Sequence, residues 1–163
     1  MAAYYTGIGS RQTPPEFLEL FVSLADELAR KGYVLRSGGA EGADTAFETG
    51  CDRAQGQKEI FLPWKDFNGN ASMLYPPAPE SYTIAARFHP AWSRLTRGGQ
   101  YLHARKSHQV LGKSLISPSA FILCWTGPTG GTNQALRIAE EYRVPVFNFI
   151  NKIYSLDEIL AVS

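Results

Sequence analysis

Apolar residues follow two rhythms along this chain, and the alternation between them predicts its elements. Short, nearly continuous apolar runs read as strands: Ala2-Ala3-Tyr4-Tyr5-Thr6-Gly7-Ile8, Tyr33 to Leu35, Glu59 to Leu62 (stopped by Pro63), Ala120 to Trp125 and Val144 to Asn148. Between them the spacing turns helical. Phe17, Leu20, Phe21, Leu24 and Leu28 mark one buried face of a first helix. Thr13-Pro14-Pro15-Glu16 predicts its start, with Thr13 as cap, the prolines in the first turn and Glu16 completing a capping box. Lys31-Gly32 ends it. Ala43, Ala46, Phe47 and Cys51 predict a second helix, Gln100 to Lys113 another ending around Gly112, Thr132 to Tyr142 another, and Leu156 to Leu160 a short last one. Alternating strands and helices predict an α/β fold with a mostly parallel sheet.

The rhythm breaks over residues 64–98. There Trp64, Phe67, Tyr75, Tyr82, Phe88 and Trp92 are interleaved with prolines, Asn68-Gly69 and several arginines, which predicts loops and a short helix near residues 80–87. Two strand-to-helix junctions carry glycine-rich turns. The first is Ser37-Gly38-Gly39-Ala40-Glu41-Gly42-Ala43-Asp44; the second is Thr126-Gly127-Pro128-Thr129-Gly130-Gly131-Thr132. Glycine at such a junction permits a sharp bend and a close approach to a ligand. The following helix then offers free N–H groups and the positive end of its dipole to an anion. Two such turns flanked by hydroxyl residues point to a phosphate-bearing ligand, against the plainer reading of tight turns.

Composition narrows this little. The 163 residues are 44% apolar and 19% charged, as in ordinary globular proteins, and no apolar run reaches membrane-spanning length. A formal net charge of +1 ranks nucleic acid below a small molecule as partner. Cys51 and Cys124 form neither a metal spacing nor a disulfide framework, and no signal-peptide pattern opens the chain, so a cytoplasmic location is expected. His103 and His108 are five apart, outside the i, i+4 spacing of a metal pair, and His89 has no evident partner, so neither metal nor cofactor is expected.

Taken together, Gly7-Ile8-Gly9-Ser10-Arg11, the Ser37–Asp44 turn and Gly130-Gly131-Thr132 resemble the SLOG superfamily. That group joins the DprA (Smf) proteins, the LOG phosphoribohydrolases and stand-alone nucleotide-binding proteins of bacteria and phages. The resemblance covers roughly residues 3–62 and 100–150, leaving 64–98 as an aromatic-rich insertion. It implies one Rossmann-like domain over 1–163, a three-layer sandwich binding a nucleotide or nucleotide-derived ligand across these loops, and the homo-oligomers that members often form. LOG hydrolases carry adjacent glutamates after their Gly-Thr. Here Gly131-Thr132 is followed by Asn133-Gln134-Ala135, so the acidic positions hold Gln134 and Ala135. A glutamine can bond a ribose but cannot act as a general base.

The expected ligand contacts are Gly9, Ser10, Arg11, Ser37, Gly38, Gly39, Gly42, Asp44, Arg105, Thr126, Gly130, Gly131, Thr132 and Gln134, with Lys106 beside Arg105 completing a positive pocket. Arg11 suits phosphate; Ser37 and Thr132 donate to phosphate or cap helices; Asp44 binds a ribose hydroxyl or serves its own helix start. Glu41 and Asp44 are the candidate catalytic carboxylates. Trp64, Tyr75, Tyr82 and Trp92 are the candidates to stack a base, though aromatics more often fill core. The leading reading is non-hydrolytic binding of a nucleotide or nucleotide-derived signal. The alternatives are an N-glycosidase acting on nucleoside monophosphates, and single-stranded DNA binding through Arg87, Arg94, Arg97 and Arg105.

Overall fold

In the computed structural model, which describes residues 3–162, the apolar runs form one sheet. Its strands are β1 (Ala3–Gly9), β2 (Tyr33–Ser37), β3 (Lys58–Ile60), β4 (Ile122–Trp125) and β5 (Val146–Asn148). They pair in parallel throughout, in the order β3-β2-β1-β4-β5. Helices α1 (Pro15–Arg30), α2 (Ala43–Arg53), α3 (Pro79–Phe88), α4 (Arg97–Leu111) and α5 (Thr132–Glu141) lie in the connections, and α6 (Leu156–Leu160) follows β5.

Period-two alternation divides each central strand between two cores. Tyr5 of β1, Leu35 of β2 and Leu123 of β4 join Phe21, Leu24 and Leu28 of α1 and Phe47 of α2. The rings of Phe21 and Phe47 stack there at 4.4 Å. On the opposite face Ile8, Ile122 and Cys124 meet Val110 and Leu111 of α4 and Ala135 and Ile138 of α5. The result is a Rossmann-like three-layer sandwich. Runs buried on both faces are what made the central strands readable as continuous apolar stretches.

Several local expectations are corrected. The capping box at Thr13 and Glu16 does not form: Pro14 occupies the N-cap of α1, and the Thr13 hydroxyl donates instead to Ser10 O at 2.6 Å. A capping box does close α6, between Ser155 and Glu158. α4 starts three residues before Gln100, because Thr96 caps it by accepting from Gly99 N at 3.1 Å. It ends at Gly112 as expected, with φ 81°. β3 stops at Ile60; beyond it Phe61 N still donates to Ser37 O of β2 at 2.9 Å, and Phe61 and Leu62 pair with Leu74 of the insertion. The insertion supplies α3 and two short 3₁₀ turns, Phe67–Gly69 and Trp92–Arg94.

Candidate functional site

β1 and β4 are neighbours in the sheet, with Gly9 in register with Trp125. After β1 the chain builds β2 and β3 on one side; after β4 it builds β5 on the other. In open α/β sheets the crevice beyond such a reversal is where ligands bind. Here the loops after β1, β2 and β4, one face of α4 and the turn at Phe67 and Asn68 enclose a cleft of about 560 Å³.

Asp44, in the first turn of α2, holds the loops together. Its two carboxylate oxygens accept from Gly9 N at 3.2 Å and Ala40 N at 3.3 Å. Burial pushes this carboxyl up to about 6, although Arg105 nearby favours the charged form. Gly42 at the N-cap of α2 has φ 84°, and a Cβ there would stand 2.8 Å from both Arg11 Cα and Ser10 O. Part of the first glycine motif is therefore explained by one loop lying on another. Thr126 is fixed similarly: Asn148 of β5 accepts from Thr126 N at 3.1 Å and donates to Thr126 O at 2.9 Å.

α4 contributes the cations. Arg105 is buried and donates from Nε to Gly38 O at 3.2 Å; burial lowers it to about 10, with Asp44 opposing the shift. Lys106 has no ion-pair partner among the described residues. Burial lowers it to about 7, helped by Arg105 and opposed by Asp44. Its Nζ lies against the start of α5, where a Cβ on Gly131 would be 3.2 Å away. His103 is held neutral, pushed down to about 3 by burial and then by Lys106; its Nδ1 is buried without a hydrogen bond. Arg11, exposed on the first loop, is likewise free of ion pairs among the described residues. Gly130, with φ 112°, turns the second loop into α5, so Gly131 and Thr132 bring the helix's unpaired first-turn amides to the same place.

Of the expected contacts, the cleft gathers Gly9, Ser10, Arg11, Glu41, Asp44, Arg105, Thr126, Gly130, Gly131 and Thr132. Five expected residues do not line it, and one of them is Gly42, which lies against the backbone of Ser10 and Arg11. Ser37 is buried and donates to Gly7 O at 2.6 Å. Gly38 and Gly39 present carbonyls to Arg105 and Asn68, inside the wall. Gln134 is fully buried between helices, donating to Ala85 O at 2.9 Å and accepting from Arg137 at 2.8 Å. Its amide is spent on α3 and its own helix, which corrects the ribose contact expected of it.

The aromatic expectation is also corrected. None of Trp64, Tyr75, Tyr82 and Trp92 lines the cleft; Phe67 does. Tyr82 packs edge-on against Trp92 and Tyr101 at 6.4 and 5.8 Å. His103, Leu102 and Gln109 were missed as well, yet a signal existed: with Arg105 and Lys106 they recur at helical spacing on one face of α4. His108 stacks on Phe61 at 5.3 Å, with Nε2 accepting from Ala78 N and Nδ1 bonded to Gly112 O. Both cysteines are buried thiols, raised by burial to about 11 for Cys51 and 12 for Cys124.

A larger hollow of about 740 Å³ lies beside β3 and α2. Its charges are already paired: Lys58 with Glu48 and Asp52, and Glu59 with Arg36 and Lys113. The smaller cleft is the one with cations left open. Among the described residues no group of three or more His, Cys, Asp or Glu is placed to hold a metal, and no helix is long and apolar enough to cross a membrane.

No family model matches the chain, and no curated protein matches its sequence. Solved structures do match in fold. DNA processing protein A from Helicobacter pylori, described for its single-stranded DNA binding mode, superposes with a TM-score of 0.56 at 18% identity, over 98% of this chain and 72% of its own. The Moco carrier protein of Chlamydomonas rheinhardtii gives a TM-score of 0.55 at 15% identity, over 90% of this chain and 74% of its own. The fold is thus a Rossmann-like one that this chain shares with both solved structures.

Proposed function

We propose that this protein binds a nucleotide or nucleotide-derived ligand in the cleft at the ends of β1 and β4, gripping its phosphate and holding the molecule intact. One observation carries the reading. Arg11 and Lys106 have no ion-pair partner among the described residues, and Lys106 lies against the amino-terminal end of α5. Positive charge beside the positive end of a helix dipole is unfavourable until an anion arrives. Both solved neighbours are named for holding something, a cofactor in one case and single-stranded DNA in the other, which agrees with a binding role.

Holding is favoured over hydrolysis by the carboxylates. Asp44 spends both oxygens on backbone amides, and Gln134 replaces the acid of the hydrolases and is buried. Glu41, exposed at the rim, is the remaining carboxylate of the cleft. DNA binding is less favoured, because Arg87 is paired with Glu141 and Arg105 is engaged inside the wall. Titration calorimetry with AMP and adenosine tests the reading. AMP is expected to bind and adenosine to bind at least tenfold more weakly, with no free adenine released. Equal affinities would remove the phosphate from the account, and adenine release abolished by Glu41→Gln would replace holding with hydrolysis.

A further inference from the structure

The aromatic insertion contributes one wall of the cleft, and only two of its residues reach in, Phe67 and Asn68. Both are held firmly. Phe67 has the edge of Trp64 at 5.5 Å and the Arg105 guanidinium 5.2 Å over its ring. Leu102 of α4 adds another apolar side chain to the lining of the cleft. Asp66 and Asn68 both adopt left-handed backbone, with φ 61° and 52°, and Gly69 follows at 72°. Such a knuckle is strained for residues with side chains and persists where the surroundings fix it. Asn68 Nδ2 donates to Gly39 O at 3.1 Å, which orients the amide and leaves Oδ1, an acceptor only, without a hydrogen-bond partner among the described residues.

We infer that this turn is the base reader of the cleft: Phe67 and Leu102 pack a planar heterocycle, and Asn68 Oδ1 accepts from an amino group on its edge. The ligand class is therefore a phosphate-bearing nucleotide whose base carries an exocyclic amine. An apolar face accounts for general base affinity, since every base has a π-face, while an acceptor fixed in place discriminates at the edge. The inference rests on the phosphate reading above, and its test separates the two.

Affinities of ribose 5-phosphate, purine riboside 5′-monophosphate and AMP are measured by titration calorimetry for the wild type, Phe67→Leu and Asn68→Gly. Glycine suits the left-handed position, so the backbone of the second variant is kept. In the wild type AMP is expected to exceed ribose 5-phosphate by on the order of tenfold or more through stacking, and the unsubstituted purine by about fivefold through one hydrogen bond. Phe67→Leu removes most of the first ratio, Asn68→Gly abolishes the second, and both leave ribose 5-phosphate binding unchanged. If AMP and ribose 5-phosphate bind equally well to the wild type, the base reader is overturned while the phosphate site stands. Ratios unchanged in both variants overturn it equally. If no phosphate ligand binds at all, both readings fall.

Discussion

At the scale of single residues, the acid and the base of this cleft have different tasks, although each feels the other's charge. Asp44, which closes the first glycine turn, is a tie between loops rather than a free catalytic group. Asp44→Ala leaves two backbone amides without their charged acceptor and is expected to cost about 2–3 kcal/mol, read as a lower urea midpoint. An unchanged midpoint would return Asp44 to the ligand. Lys106 is the group made for an anion. It holds its proton less tightly when folded, near 7 against an ordinary 10.5, because of burial and then Arg105. The unfolded chain therefore binds more protons between those values, so the empty protein loses stability as pH falls from 10.5 to 7, and this group adds no further loss below. A phosphate beside Lys106 reverses the shift and draws a proton in. Affinity for AMP is expected to fall as pH rises above about 7, and Lys106→Arg, charged throughout, flattens that profile; calorimetry across pH 7 to 9 reads both.

At the scale of elements, most of the fold was legible because burial on both faces writes a strand as an unbroken apolar run. Tyr33–Leu35 and Phe121–Trp125 are such runs, and their helices showed one apolar stripe each. Capping was less legible. Thr13 and Glu16 have the right spacing, but two prolines carry the entry into α1, whereas Thr96 hides a working cap before an Arg-Gly-Gly stretch that looks unhelical. The glycine turns were legible as site markers, though all three glycines of the first turn shape the wall rather than line the cleft. Gln134 misled because motif position says nothing about rotation: its face of α5 meets α3, and of the helix only the first residue, Thr132, lines the cleft. Gln134→Ala removes one of two donors to the Ala85 carbonyl, which keeps His89 N, and takes an acceptor from Arg137; it is expected to cost about 1 kcal/mol of stability with AMP affinity unchanged. Lost affinity at full stability would restore its ligand role. The insertion stayed illegible, since its rings are shared between braces and ligand wall, and only the fold shows that Phe67 faces inward while Trp64 supports it.

At the scale of the whole molecule, two hollows open near the carboxyl edge of the sheet, divided at Asn68, and charge decides between them. The larger is self-neutralised; the smaller keeps Arg11 and Lys106 unpaired beside the start of α5. Geometry this asymmetric makes the central claim a claim about place. A crystal structure of the protein with AMP tests it most directly. The account predicts the phosphate at Gly131 and Thr132, within hydrogen-bond reach of Lys106 Nζ, with the base toward Phe67. A phosphate seated instead in the hollow by Lys58 and Lys113 would contradict it.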